Sequence, residues 1–440
     1  MRRHLPLFLL CVSVITPAHA QAPDALRQEM ETLRQQFLTT TQAYEQRLKE
    51  LSARLEQLEG ARPPLGSPPG PPAPIAPPAA STGPSLADLA TPRQPFTLAS
   101  PGRGLLFDIG VSGDFVADVT SASRERQRDG TFAGRENRFF VREVTLGVFG
   151  RVDPYASAVV RISAGEEPTR EVGVRLDEAN LSLLTLPLGM TTRLGLMRPR
   201  FGTLNVVHQD DLPQVDRPNV LARFFGEEQL DGERGIEAFW VLPASMYHEL
   251  SLGVFDGDNE TAFGRGSLRD PLLIGRWRTF FELEDAGGLQ LDLSAASGVT
   301  PENHRNTVVG IGAKYKWIGA VTGFPILTFA GEGLAGFRHV DDSAAPSGER
   351  RFNRAGAYLY GQYDLDRRWA GGLRGDFTQV PAARGHEWAL SPYVQFKPSE
   401  FLRFRLQYKH SEGTGAADRV ADEIFLQGSF ILGAHPTERF

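Results

Sequence analysis

Leu402-Arg403-Phe404-Arg405-Leu406-Gln407-Tyr408-Lys409 alternates without a break. Leu402, Phe404, Leu406 and Tyr408 fall on one face of an extended chain; Arg403, Arg405, Gln407 and Lys409 fall on the other. Successive side chains of a β-strand point to opposite faces, so this stretch reads as a strand with one oily and one charged side. The pattern recurs upstream. Leu289, Leu291, Leu293 and Ala295 alternate with Gln290, Asp292 and Ser294, and Val309, Ile311, Ala313, Tyr315 and Trp317 with Gly310, Gly312, Lys314 and Lys316. Phe107, Ile109, Val111 and Phe115 stand against Asp108, Gly110, Ser112 and Asp114. Similar runs lie near residues 144–148, 156–162, 369–377, 388–396 and 424–432, and turn-rich stretches such as 255–259 and 339–351 divide them.

A soluble β-sandwich also alternates, but three details favour a closed transmembrane barrel. Aromatic residues of the oily face (Tyr315, Trp317, Tyr408, Trp369) stand near strand ends, where membrane-interface girdles belong. The polar face is charged, as a wet lumen requires, and the chain closes on Phe440 after a strand. At about ten residues per strand, with alternating short turns and longer loops, residues 103–440 suit about 16 antiparallel strands.

The N-terminus supplies the compartment. Arg2, Arg3 and His4 precede an apolar run from Leu5 to Ile15, and Ala18-His19-Ala20 forms a small-x-small cleavage site. That is a secretory signal peptide over residues 1–20, too short to span a bilayer as a helix. A lipoprotein role for Cys11 is disfavoured, because Cys11 lies within the run and Leu10 is not small. Without Cys11 the exported chain has no thiol for a disulfide or a thiolate metal site. No later stretch has the 18 apolar residues of a transmembrane helix. The net charge of −6 argues against nucleic acid as a partner.

Residues 21–60 repeat Leu26, Met30, Leu33 and Phe37, then Leu48, Leu51, Leu55 and Leu58, at coiled-coil spacing with a stutter near Thr39–Thr41. A helix packed on a domain is the alternative, but no neighbouring segment offers a partner face. Residues 61–102 are proline-dense, a semi-rigid linker without a core. The expected order is signal peptide, periplasmic coiled coil, linker and outer-membrane barrel of a Gram-negative bacterium.

The segment Leu194-Gly195-Leu196-Met197-Arg198-Pro199-Arg200-Phe201-Gly202-Thr203-Leu204-Asn205 resembles the strand-to-loop signature of the phosphate-selective porin O and P family. Phe149-Gly150-Arg151-Val152-Asp153-Pro154, Asp177-Glu178-Ala179, residues 225–236 and Phe440 agree with it. The resemblance covers about three quarters of the chain. It implies a 16-stranded trimeric porin with loops folded into the pore and a cationic, anion-passing lumen. This chain departs from that pattern in its scarce lysine and slightly acidic barrel segment.

If the oily faces meet lipid, Arg403, Arg405, Lys409, Lys314, Lys316 and Arg374 line the pore. A cation facing hydrocarbon at mid-membrane would cost roughly 2–4 kcal/mol. Such a wall favours anions, unless Asp108, Asp114, Asp292 and Asp376 balance it. Arg198 and Arg200 flank Pro199, break the alternation, and by the resemblance belong to a constriction loop; a solvated loop is the plain alternative.

His208, Asp210 and Asp211 have the residue types of acid–base catalysis, yet no second cluster completes a site, and a polar loop explains them. Asp256, Asp258 and Glu260 offer oxygens of the kind calcium takes, without an EF-hand's glycine and distal glutamate. Residues 331–336 match GxGxxG, but a dinucleotide site needs a helix there and the context reads as strand end and loop.

The expectation is therefore a non-enzymatic porin for passive diffusion of small hydrophilic solutes, possessing neither cofactor nor metal, assembled as a homotrimer in outer-membrane lipid. The competing expectation is a plugged barrel that anchors a coiled-coil tether to peptidoglycan.

Overall fold

The structure, a computed structural model, describes residues 107–122 and 135–433, apart from 168, 185, 227–228, 260, 265, 320–322, 344–347 and 418–419. The stretches read above as signal peptide, coiled coil and linker lie outside the described residues, as do Glu260 and Phe440.

Strands β1 (Phe107–Thr120), β2 (Arg138–Asp153), β3 (Ala156–Glu166), β4 (Val172–Leu183), β5 (Thr191–Met197), β6 (Glu233–Val241) and β7 (Tyr247–Phe255) pair in sequence order. A small hairpin follows, β8 (Asp258–Asn259) with β9 (Phe263–Gly264). The wall resumes with β10 (Leu272–Glu282), β11 (Gly288–Val299), β12 (Arg305–Ile318), β13 (Ile326–Asp341) and β14 (Glu349–Asp364). It ends with β15 (Trp369–Gln379), β16 (Gly385–Ser399), β17 (Leu402–Gly415) and β18 (Val420–Gly433). Antiparallel pairing of β18 with β1, Gly113 opposite Phe430, closes a barrel of sixteen strands. Closure leaves no unpaired edge, which is what lets a sheet sit in hydrocarbon. No helix among the described residues is long and apolar enough to cross a membrane, a test that does not bear on strands.

The alternation read from the sequence sets the two faces. Leu252, Ile311, Leu359, Leu406 and Leu426 are more than half exposed on the outside. Their strand neighbours Ser251, Gln407 and Gln427 are buried within. A soluble protein rarely leaves so much contiguous apolar surface uncovered, whereas a bilayer covers it. Trp369 and Phe396, ring centroids 4.5 Å apart, pair across β15 and β16 at one end of this belt.

Both barrel termini, Phe107 and Gly433, lie at the same end, here the near end. Near-end turns are tight, as at residues 400–401. The long connection 198–232 leaves from the far end of β5, the shortest wall strand. One expectation needs correction: residues 339–351 are not all turn. β13 runs to Asp341 and β14 starts at Glu349, with His339 opposite Arg351 and Asp341 opposite Glu349. Backbone pairing carries this hairpin past the oily belt without any apolar pattern. The GxGxxG match lies inside β13, where no helix follows.

Candidate functional site

The connection 198–232 folds into the lumen. At its start Glu237 of β6 accepts the Arg200 backbone N–H at 2.7 Å and a guanidinium N–H of Arg193 at 2.5 Å. The Arg200 guanidinium lies 3.5 Å from the Phe239 ring centroid. Arg198 pairs with Asp231 at 2.7 Å, tying the start of the loop to its end. Both arginines thus fasten the loop's base.

Beyond that base the loop carries apolar residues. Phe201, Leu204, Val220, Leu221, Phe224, Phe225 and Leu230 are buried with inward residues of the wall, including Ile274 of β10, Ala296 of β11, Val308 of β12 and Leu334 of β13. Phe201 and Phe225 meet edge to face, centroids 5.1 Å apart. Helix α1 (Asn219–Phe225) supplies four of these residues from one short amphipathic turn. The wall makes room for it: a Cβ on Gly336 would come within 2.7 Å of the Phe224 ring, and one on Gly356 within 2.7 Å of Val220. Burying each such side chain is worth roughly 1.5–3 kcal/mol. So along the far part of β10–β14 one half of the lumen is dry, an apolar packing of loop against wall.

The other half is polar and grips the loop by ion pairs. Asp216 accepts Arg374 Nη2 on both oxygens at 2.9 Å, Gln407 Nε2 at 2.6 Å and Lys409 Nζ at 2.7 Å. Burial alone would raise its pKa, but the Arg374 and Lys409 charges hold it well below the usual carboxylate range. Lys409 also donates to Asn219 Oδ1 at 2.8 Å, and the Asn219 N–H donates to Asp376 at 3.0 Å. Arg405 donates to the Leu212 carbonyl, Gln395 and Gln427, each at 2.9 Å. Arg142 of β2 holds Asp114 at 2.6 Å and donates to the carbonyls of Gln209, at 2.9 Å, and Val215. His208 Nε2 lies 2.8 Å from Glu178. Burial, then the Arg198 charge, depress the His208 pKa to about 4 and outweigh the pull of Glu178.

Of the residues expected on the pore wall, Arg374, Arg405 and Lys409 therefore point inward but are sealed against the loop. Arg403 is half-buried at the near-end mouth, and Lys314 and Lys316 are half-buried toward the near end of β12. Asp114, Asp292 and Asp376 pair with Arg142, Arg278 and Arg374. His208 faces Glu178, and Gln209–Asp211, which include two of the three polar residues weighed for catalysis, form a 3-10 turn. Asp258 pairs with Arg234 at 2.6 Å. Sequence reasoning missed Asp216, Asn219 and Arg142. Its best available clue was the apolar run Val220-Leu221-Ala222-Arg223-Phe224-Phe225 inside a supposed loop.

Two cavities flank the loop. One of about 700 Å³ opens at the near end, with Asp210, Asp211, Lys397 and Arg403 in its lining. The other, about 90 Å³, is lined by Arg142, Glu143, Arg175 and Gln209. The loop segment Gln209–Asp211 thus borders both, beside β1–β4 and away from the dry half.

A sixteen-stranded barrel with its long loop laid across the lumen is the fold of outer-membrane porins. The chain superposes on the outer membrane channel DcaP of Acinetobacter baumannii with a TM-score of 0.51, at 10% identity over 75% of this chain and 98% of that one. An anion-selective porin from Comamonas acidovorans gives a TM-score of 0.50 at 9% identity, covering 74% of this chain and 99% of that one. OprB of Pseudomonas putida gives 0.50 at 11%, covering 75% and 94%. At such identities the likeness is one of fold. In sequence, a protein of Aquifex aeolicus (strain VF5) described as uncharacterized is 27% identical over 343 residues, 69% of this chain and 70% of its own length. No family model matches the chain.

Proposed function

We propose that the chain is a non-enzymatic porin of the phosphate-selective O and P kind, passing small hydrophilic solutes through the outer membrane by diffusion, with a preference for anions such as phosphate. The observation that carries this reading is the closed sixteen-stranded barrel with the loop 198–232 folded into its lumen and cavities left on the polar side. Residues 1–20 would direct export, 21–60 would form a periplasmic coiled coil that helps bring three barrels together, and 61–102 would space the two. The near end then faces the periplasm. Arg198 and Arg200 act at the base of the constriction loop, and Arg403, Lys314 and Lys316 act along the wall. Arg374, Arg405 and Lys409 act through the loop they hold.

Conductance across a planar bilayer tests the reading. The expected result is stepwise opening in groups of three, with a reversal potential in a KCl gradient that favours chloride. A silent membrane with correctly folded protein would overturn it. A second reading has its own observation: the loop's apolar half and its ion pairs together occupy much of the lumen. That suits a plugged barrel anchoring a tether to peptidoglycan, for which silence is the expected result.

A further inference from the structure

The inward cations divide into two groups. Arg374, Arg405, Lys409 and Arg142 are each hydrogen-bonded to the loop or to a wall carboxylate. At the near-end mouth the pattern changes. Among the described residues, the Arg403 guanidinium and the Lys397 ammonium make no hydrogen bond or ion pair, and Arg403 Nε is buried without a hydrogen-bond partner. A half-buried guanidinium and a half-buried ammonium with no acceptor of their own each gain a charge-assisted hydrogen bond when an oxyanion arrives. Both side chains line the 700 Å³ cavity, and Arg368 stands at its rim.

The remaining lining sets the shape of the occupant. Phe324, Phe401 and Ile431 contribute to the same cavity. A volume of this size lies within the roughly 300–1,000 Å³ of sites that enclose whole organic molecules. An inorganic oxyanion would leave most of it to water, at about 30 Å³ per molecule. An arginine fork matches the two oxygens of a carboxylate, and a lysine adds a point charge. Asp210 and Asp211 of the loop share the lining and lie within electrostatic reach of Arg403, so they already offset part of the cationic charge and leave the site suited to a single negative charge.

We propose that the near-end cavity is a binding site for an organic monoanion, a carboxylate on an aromatic or branched aliphatic body, held by Arg403 and Lys397. This deepens the porin reading and rests on it for the meaning of the binding, though binding itself needs no open pore. Calorimetric titration of the full chain in detergent with 2-naphthoate, 2-naphthylmethanol and inorganic phosphate tests it. The expected result is naphthoate binding at least tenfold tighter than either comparator. Arg403→Gln and Lys397→Gln should each weaken it at least fivefold, while Arg234→Gln, at the far end, leaves it unchanged. Phosphate or the alcohol binding as tightly as naphthoate would overturn the proposal, as would full affinity in both mouth variants or no binding of naphthoate. If Arg403→Gln fails to fold, Lys397→Gln decides alone. KCl conductance of the same preparation separates the two readings: binding without conductance sinks the pore, and conductance without binding sinks the site.

Discussion

Asp216, on the loop across the lumen, and Arg374, on the inner wall of β15, form a two-pronged ion pair at 2.9 Å with neither side chain exposed. A buried pair adds little net stability compared with an apolar filling, yet losing one partner costs roughly 3–5 kcal/mol because a buried charge is left over. Here Asp216→Ala would leave Lys409 without its carboxylate partner, while Arg374 keeps Asp376 but loses its hold on the loop side chain. The expected outcome is a loop that loosens while the barrel persists: faster proteolytic cleavage between residues 205 and 225, and larger, noisier conductance steps. Cleavage and conductance matching the wild type would show that Asp216 does not hold the loop.

His208 makes docking of the loop pH-dependent. Its pKa is about 4 when docked, against an ordinary value near 6.5. The docked state therefore binds fewer protons than the released state between those values. Its contribution is complete above about pH 6.5 and is lost as pH falls toward 4, each unit being worth about 1.4 kcal/mol. Cleavage of the loop by an acid-tolerant protease should accelerate across that window. His208→Gln should flatten the profile there, and an unchanged profile in that variant would assign the pH dependence to another group.

Apolar contacts should outweigh the ion pairs in fixing the loop. Phe225→Ala removes a fully buried ring packed on Phe201 and Phe263. Such truncations cost roughly 3–5 kcal/mol, a hundredfold or more in the open population that a protease samples. Phe225→Leu should recover more than half of the loss. Arg234→Gln removes only an exposed pair with Asp258 and should change cleavage by less than about fivefold, since such pairs are worth at most about 1 kcal/mol. Equal effects of the Phe225→Ala and Arg234→Gln variants would contradict the dry half described above.

The wall was legible because alternation is local: Leu406 and Gln407 declare their faces from neighbouring residues alone. The contents of the lumen were not, because they depend on distant pairings. Val308 lies on the inward face of β12 and is buried under the loop, yet beside Gly310, Gly312, Lys314 and Lys316 it reads as an irregularity of a polar face. Gly336 and Gly356 read as ordinary strand glycines until Phe224 and Val220 are laid against them. The charge of Arg405 or Lys409 is likewise visible in sequence, but whether it meets water or a loop carboxylate is decided by residues some 190 positions away.

That distinction separates Arg403 from Arg405, two residues apart on the same inner face of β17. Arg403 borders the near-end cavity, whereas Arg405 is spent on the Leu212 carbonyl, Gln395 and Gln427. Reversing the charge of each should give different phenotypes. Arg403→Glu acts on ions passing the mouth, so the reversal potential in a KCl gradient should move toward cation preference, while loop cleavage rises less than in Arg405→Glu because Arg403 makes no hydrogen bond to the loop. Arg405→Glu places a carboxylate against the Leu212 carbonyl with no acceptor-to-donor match, so the loop should release, cleavage should rise at least tenfold, and any change in reversal potential should come with larger conductance. A reversal potential that ignores Arg403→Glu would remove that residue from the ion path, and a docked, uncleaved loop in Arg405→Glu would show that its three hydrogen bonds are dispensable.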